Sequence, residues 1–474
     1  MATNYKAAYL FIITLVASLG GFLFGFDMAV VSGILPLLNK QFSLSDIQEG
    51  LFVSSALVGC IIGVAISGEL SDKLGRKKPL ILAALLFLVS ALGCSLLPTL
   101  PGIIAARVMG GIGIGLASNV VPLYISEIAP ARIRGRLVTY YQFAVTLGIL
   151  IAYLTNSALL QYALAHTNNT TGVLHTVMVT EVWRGMFGIG VIPAVLFALG
   201  LLMVPESPRW LIQQQREQEA TDILNHINND FEVRASLQQG RQAQKAGPIS
   251  YRTLLKPKWR KALIIGILLP LFSQFSGINA IIYYGPSILS SSGISLTNSL
   301  LSQIIFGGAN MLFTLIAIWK VDSLGRRPLY LAGTIGATIS LLATGICFYA
   351  GPTTGWALLM CVLAFLASFA FSIGPLKFVV AAEIFPGNIR GRAMAISIMV
   401  MWVADTIVGW LTPILLKRIG TAYTFWLFAL FCLIAFITVL KLLPETKGKS
   451  LEQIENDWKE RSNDPDLYVT PVGH

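Results

Sequence analysis

The sequence predicts an all-α membrane protein of twelve transmembrane helices, arranged as two pseudo-symmetric six-helix halves with short intracellular helices. Three observations carry this. Of 474 residues, 55% are hydrophobic and only 12% are charged, about half the charged share of roughly 25% found in ordinary soluble domains. Apolar stretches of about 20 residues recur along the chain, each long enough to cross a hydrocarbon core about 30 Å thick. Three loop motifs occur twice, in the same order.

The spans fall near 9–32, 49–70, 79–97, 103–126, 137–160, 184–204, 262–289, 298–319, 328–350, 356–380, 393–416 and 421–443. The first lacks a basic leader beyond Lys6 and a small-residue cleavage site, so it reads as a retained span. The net charge of +11 does not point to nucleic acid, because the basic residues are segregated. Of 34 Lys and Arg, 28 lie on one side of the twelve-span arrangement, while Lys40, Arg184, Lys417 and Arg418 lie on the other. That asymmetry predicts cytoplasmic termini and a cytoplasmic middle loop. The five cysteines (Cys60, Cys94, Cys347, Cys361, Cys432) sit in apolar spans without metal or redox spacing and read as packing residues. Residues 168–171, "NNTT", hold overlapping glycosylation sequons on the outer side.

Duplication sets the domain organisation. "GELSDKLGRKKPL" (68–80) follows the second span and "WKVDSLGRRPL" (319–329) the eighth. "SEIAPARIRGRL" (126–137) follows the fourth and "AEIFPGNIRGRA" (382–393) the tenth; "VPESPRWL" (204–211) ends the sixth and "LPETKGKSL" (443–451) the twelfth. The expected units are an N-terminal half at 1–204, a linker at 205–260, a C-terminal half at 261–443 and a cytoplasmic tail at 444–474. Parallel repeats of this kind place a binding site at midplane between the halves. Within the linker, Ala220, Ile223, Leu224 and Ile227 share one face at helical spacing and predict a short amphipathic helix.

Basic loops serve topology alone, but topology needs no acids. Asp72 and Asp322 stand four residues before Arg76 and Arg326, and Glu127 and Glu383 stand seven before Arg134 and Arg390. Together with Glu206 and Glu445 of the third motif, these residues are candidates for a cytoplasmic gate. Their ion pairs would form when that face closes and part when it opens.

Ionisable groups inside spans are costly, roughly 2.5–3.5 kcal/mol each on insertion scales, and mark functional sites. Four occur: Asp27, Arg107, Lys377 and Asp405, with charges that sum to zero. Asp27 with Arg107, and Lys377 with Asp405 as a possible second ion pair, are the expected couples. For the first, two roles fit the residues. Asp27 could exchange a proton as its distance to Arg107 changes, or the two could hold helices together permanently.

"SQFSGINAIIYYGP" (273–286) puts Gln274, Asn279 and Tyr283 on one broad face, with Gly277 loosening the helix. Amides both donate and accept, which suits hydroxyl-rich neutral ligands. Gln142, Asn310 and Trp402 add further amides and a flat apolar surface, and "SIGP" (372–375) predicts an interruption of the tenth helix beside a cavity. No catalytic triad, metal cluster or phosphate-binding loop is present in the sequence, so an enzyme, a cofactor and a metal are not expected. "GGIGIG" (110–115) lies inside a span without a preceding strand and reads as helix packing rather than a nucleotide loop.

These motifs together resemble the sugar porter family of the major facilitator superfamily, and within it bacterial sugar–proton symporters of the D-xylose type. The carriers are "GFLFGFD", "DKLGRKK", "RVMGGIGIG", "SEIAPARIRG", "PESPRWL", "QFSGINAIIYY", "DSLGRRP", "EIFPGNIRGRA" and "PETKG", spread over residues 8–460. The resemblance implies alternating access, with Asp27 as the proton-coupling acid, Arg107 as its partner, and Gln142, Gln274, Asn279, Asn310 and Trp402 at sugar-contacting positions. Phe24 and Tyr283 join them as candidate substrate contacts. Departures from the family pattern are Ser273 in place of a first glutamine, Phe378 in place of a tryptophan, Met401 in place of an amide and Phe26 in place of a tyrosine. Lys377 and Asp405 lie outside that pattern, and Lys377 could instead face the ligand and favour an anion. The expectation is proton-coupled transport of a monosaccharide or related polyol by a monomer in the plasma (inner) membrane, without nucleic-acid partners. The alternatives are an uncoupled facilitator and a non-transporting sugar sensor.

Overall fold

In a computed structural model of the chain, the described residues are 2–130, 133–166, 175–227, 257–291, 293–351, 355–385 and 390–445, with isolated positions 172, 233 and 237. The sequons at 168–171 and the tail beyond Glu445 lie outside them. Among the described residues every regular element is helical, and twelve helical spans are long and apolar enough to cross a membrane. The first half comprises Ala2–Phe42, Asp46–Leu74, Lys77–Leu96, Leu100–Ile128, Arg134–Ala165, and a sixth span split into Val182–Gly188 and Val191–Met203. The second comprises a seventh span split into Pro257–Phe275 and Ile278–Ser291, then Leu296–Leu324, Arg326–Ala350, a tenth at Gly355–Ile384 in three pieces, Arg390–Arg418 and Thr421–Leu442.

Several helices outrun the apolar windows read from sequence, among them the second and eighth, whose starts are capped by Ser45 and Ser295. Ser45 and Gln48 form a reciprocal capping box at the start of the second helix, satisfying backbone donors that would otherwise be orphaned. The linker contributes helices Pro208–Gln213 and Glu217–Ile227; Ala220, Leu224 and Ile227 are buried, with Ala220 packed against Trp210, Leu211 and Ile212.

Two interruptions shape the second half. At Gly277 the backbone turns left-handed (φ +81°), and the Phe428 ring stands 2.3 Å from where a Cβ would project. Only glycine meets both demands. The tenth span is not broken but widened, by a π-helical turn at Phe369–Ile373 that leads into Gly374 and Pro375. Pro375 lacks a backbone donor, so the helix changes its hydrogen-bond register just ahead of it.

Glycines set the packing within the first half. A Cβ on Gly111 or Gly115 would sit 1.9 or 2.3 Å from the carbonyl oxygens of Ala56 and Cys60, and one on Gly59 or Gly63 would meet those of Val108 and Ile112. Thus "GGIGIG" lets the second and fourth helices touch backbone to backbone, the arrangement small residues permit in membranes. Asn119 adds a 2.7 Å hydrogen bond to Ser67 across the same seam. Gly25 and Gly148 play the reciprocal part between the first and fifth helices, against the carbonyls of Val145 and Phe22.

The halves meet through the second helix against the eleventh, the fifth against the eighth, and the first against Ile278–Ser291. We call the face carrying the Gly75 and Gly325 turns the basic face. The contacts between halves lie toward the opposite face. Asp46 pairs with Lys417 at 2.9 Å, a Cβ on Gly50 would lie 2.4 Å from the Trp410 carbonyl, and Tyr153 donates to the Ile282 carbonyl at 3.4 Å. The seam is therefore closed on the opposite face.

Over-packing a tight helix contact costs about 1–3 kcal/mol. Gly25→Leu and Gly111→Leu are expected to lower the thermal unfolding temperature in detergent. Gly308→Ala, where a Cβ meets nothing within 4 Å, is expected to leave it unchanged.

Candidate functional site

Between the halves lies a cavity of about 110 Å³. It brings together Phe24, Gln142, Gln274, Asn279, Tyr283, Asn310 and Trp402, together with Lys377 and Asp405. The amides arrive from different helices: Gln142 from the fifth, Asn310 from the eighth, and Gln274 and Asn279 from either side of the Gly277 turn. That turn is why Gln274 and Asn279, five residues apart, can touch: the Asn279 Nδ2 donates to Gln274 Oε1 at 2.7 Å. The rings of Phe24 and Trp402 pack on each other at the cavity, with centroids 5.3 Å apart and a tilt of 57°. They form an apolar wall contributed by both halves. The indole Nε1 of Trp402 is buried without a hydrogen-bond partner among the described residues.

Met28, Thr146 and Thr314 also line the cavity. Sequence reading passed over the two threonines, although each lies four residues after a selected amide and so on the same helical face. Phe378 is among the residues whose side chains are not described.

Asp405 and Lys377 each have neutral partners. The Asp405 carboxylate accepts from Asn279 Nδ2 at 2.7 Å and from the Tyr283 hydroxyl at 3.1 Å. Lys377 Nζ donates to Ser273 Oγ at 3.0 Å. Both charged side chains are buried. The two opposite charges expected as a couple thus share one cavity, each anchored to its own hydroxyl or amide.

Asp27 and Arg107 lie in the first half, on the first and fourth helices. Arg107 is 2% exposed, its Nε donates to the Phe52 carbonyl at 3.2 Å, and its guanidinium lies 5.0 Å from the Phe52 ring centre and 5.7 Å from that of Phe187. Arg107 Nη1 and Asp27 Oδ2 are both buried without hydrogen-bond partners among the described residues. Two opposite charges in one helical half thus each keep an unsatisfied buried atom, a costly arrangement.

On the basic face the duplicated motifs build the same device twice. Arg76 clasps Glu127 through Nε at 2.8 Å and Nη2 at 2.9 Å, and Arg326 clasps Glu383 through Nη2 at 2.8 Å and Nε at 3.1 Å. Glu206 accepts from the backbone N–H groups of Arg76, Lys77 and Ser207 at 2.7–3.2 Å. Glu445 accepts likewise from Arg326 and Arg327 at 3.0 and 3.1 Å. Gly75 (φ +88°) and Gly325 (φ +90°) turn the chain there, and a Cβ on either would run into Glu206 or Glu445. Even the tips match: Lys77 Nζ donates to the Leu202 carbonyl and Arg327 Nη2 to that of Leu440.

In "PESPRWL", Ser207 caps the helix that starts at Pro208 and donates to Glu127 at 2.5 Å, and Trp210 Nε1 donates to the Asp72 carbonyl. Asp72 itself is 78% exposed and 3.8 Å from Arg76. The side chains of Arg134, Asp322 and Arg390 lie outside the described set. The clasps are internal to each half, and they are formed while the opposite face is sealed. In this state they brace the halves.

A family model described as "Sugar (and other) transporter" matches residues 13–458. The chain belongs to that family of membrane transporters. It is 39% identical to an arabinose-proton symporter of Bacillus subtilis (strain 168), over 96% of each chain. It is 37% identical to a D-xylose-proton symporter of Escherichia coli (strain K12), over 97% of this chain and 98% of the relative. Among solved structures, the xylose transporter of E. coli in a partially occluded inward open conformation matches with a TM-score of 0.80 and 36% identity, over 94% of this chain and 100% of that one. A proton:xylose symporter bound to 6-bromo-6-deoxy-D-glucose matches with a TM-score of 0.80 and 36% identity, over 96% and 100%. The fold is that of the major facilitator superfamily, and the chain is a transporter rather than an enzyme.

Removing Glu206 leaves three backbone donors without their acceptor, and each buried orphan costs about 1–3 kcal/mol. Glu206→Ala is expected to lower the unfolding temperature in detergent. Asp72→Ala, at an exposed carboxylate, is expected to leave it unchanged.

Proposed function

We propose that the protein is a proton-coupled symporter of a monosaccharide or related polyol, working by alternating access. The observation that carries this is the cavity between the halves, which four amides and a tyrosine line together with a contacting pair of aromatic rings. Amides and hydroxyls match the alternating donors and acceptors of a sugar rim, and the Phe24–Trp402 pair offers apolar surface to its C–H face. The relatives named for arabinose and xylose support the same substrate class.

The cycle uses the first half as the proton carrier. Asp27 takes a proton from outside, which frees it from Arg107, and sugar binds in the cavity. The seam at Asp46–Lys417 and Gly50–Trp410 closes, and both ligands leave toward the basic face. The orphaned Asp27 Oδ2 and Arg107 Nη1 support this reading, since a closed seam coincides with a parted couple. Segregation of basic residues supports a cytoplasmic basic face, with both termini there, in the plasma (inner) membrane. A cavity completed within one chain supports a functional monomer.

The test is transport in proteoliposomes. Asp27→Asn is expected to abolish sugar accumulation driven by a proton gradient while retaining sugar counterflow. Accumulation unchanged by the substitution would remove Asp27 from the coupling role, and wild-type uptake indifferent to the gradient would make the protein a facilitator.

A further inference from the structure

We infer that Lys377 and Asp405 are the specificity device of the cavity, restricting its ligand to neutral polyhydroxylated molecules, and that Asp405 fixes the direction of the hydrogen bonds offered to that ligand. The inference rests on the reading of the cavity as a sugar site.

With Lys377 as countercharge in the same cavity, Asp405 is taken in this proposal as a carboxylate, which only accepts, so the group Asn279 presents to it at 2.7 Å is the NH₂ end of its amide. The same Nδ2 reaches Gln274 at 2.7 Å, so Gln274 must answer with its carbonyl oxygen. The Tyr283 hydroxyl proton is directed to Asp405 at 3.1 Å. An isolated amide can flip end for end, and its orientation is otherwise assigned from the network around it. Here one charge determines the whole row. Asn279 Oδ1 and the Tyr283 oxygen are left as acceptors for a ligand, and Gln274 Nε2 as a donor. The site therefore presents a defined pattern that distinguishes a hydroxyl's position and direction.

Lys377 supplies the opposite sign from the tenth span, held by Ser273 Oγ at 3.0 Å. Both groups line the cavity, and the pair leaves it without net charge. Like charges brought together in a low-dielectric enclosure repel strongly. A sugar acid drawn to Lys377 still shares the small cavity with Asp405, and an amino sugar drawn to Asp405 shares it with Lys377, so neither gains a net attraction that offsets its desolvation. A neutral polyol loses no charge hydration and can give a hydroxyl proton to one side while accepting from the other. Two charges of opposite sign in one cavity thus favour the neutral ligand over anion and cation alike.

The test is ligand binding by isothermal titration in detergent, using D-xylose and D-glucose with D-glucuronate and D-glucosamine as charged counterparts. Wild type is expected to bind the preferred neutral sugar at least tenfold more tightly than either charged one. Asp405→Asn leaves an uncompensated cation and is expected to raise the affinity ratio of glucuronate to glucose at least tenfold. Lys377→Gln leaves an uncompensated anion and is expected to do the same for glucosamine. Ratios unchanged in both variants, with neutral sugar still bound, would overturn the inference.

Should either single variant fail to fold, the double variant Lys377→Gln/Asp405→Asn carries no buried charge there and decides the matter alone. With the amide row free to flip, its preference between D-glucose and the epimer D-galactose is expected to narrow at least threefold; an unchanged preference overturns the inference. Wild type binding no sugar of the panel would instead overturn the sugar-site reading itself.

Discussion

A charge inside a hydrocarbon layer is tolerated only when another group answers it, and four such charges organise this protein. Asp27 and Arg107 lie in the first half; Lys377 and Asp405 lie in the second. The two couples are answered differently. The second is anchored by Ser273, Asn279 and Tyr283 and becomes part of a cavity wall. The first keeps an unsatisfied atom on each partner. Anchored charges suit recognition, and unsatisfied ones suit a moving proton.

Motion between two states requires that the moving parts be stiff. Glycine contacts weld the second helix to the fourth and the first to the fifth. The arginine–glutamate clasps and the backbone capping by Glu206 and Glu445 fix the ends on the basic face. The seam between halves combines a close contact at Gly50–Trp410 with an exposed ion pair at Asp46–Lys417. Surface ion pairs contribute about 0–1 kcal/mol, so this one can open and reform without large cost. In the proposed cycle the seam is the part that opens and closes, and the clasps hold its two sides.

Much of this was legible in the sequence, for physical reasons. Span length and charge segregation follow from the bilayer, and the duplicated loops revealed a repeated unit. The seven candidate substrate contacts could be picked because amides and aromatics inside spans are rare enough to stand out. What was not legible depends on how separate helices approach. Glu206 and Glu445 could be named only as gate candidates, since their bonds to backbone N–H groups leave no sequence signal. Asp405 could be matched with Lys377 by charge alone, whereas its hydrogen bonds to Asn279 and Tyr283 depend on how the chain re-enters the helix after Gly277. Nor could spacing reveal that Asp27 Oδ2 and Arg107 Nη1 each lack a hydrogen-bond partner among the described residues, because that depends on how the first and fourth helices approach.

The central claim is that sugar and proton cross together through one alternating site. The most direct test is the external pH of a lightly buffered suspension of proteoliposomes with no imposed gradient. Adding a transported sugar outside is predicted to alkalinise the medium in step with sugar entry. Sugar entry with no change in external pH would contradict the account.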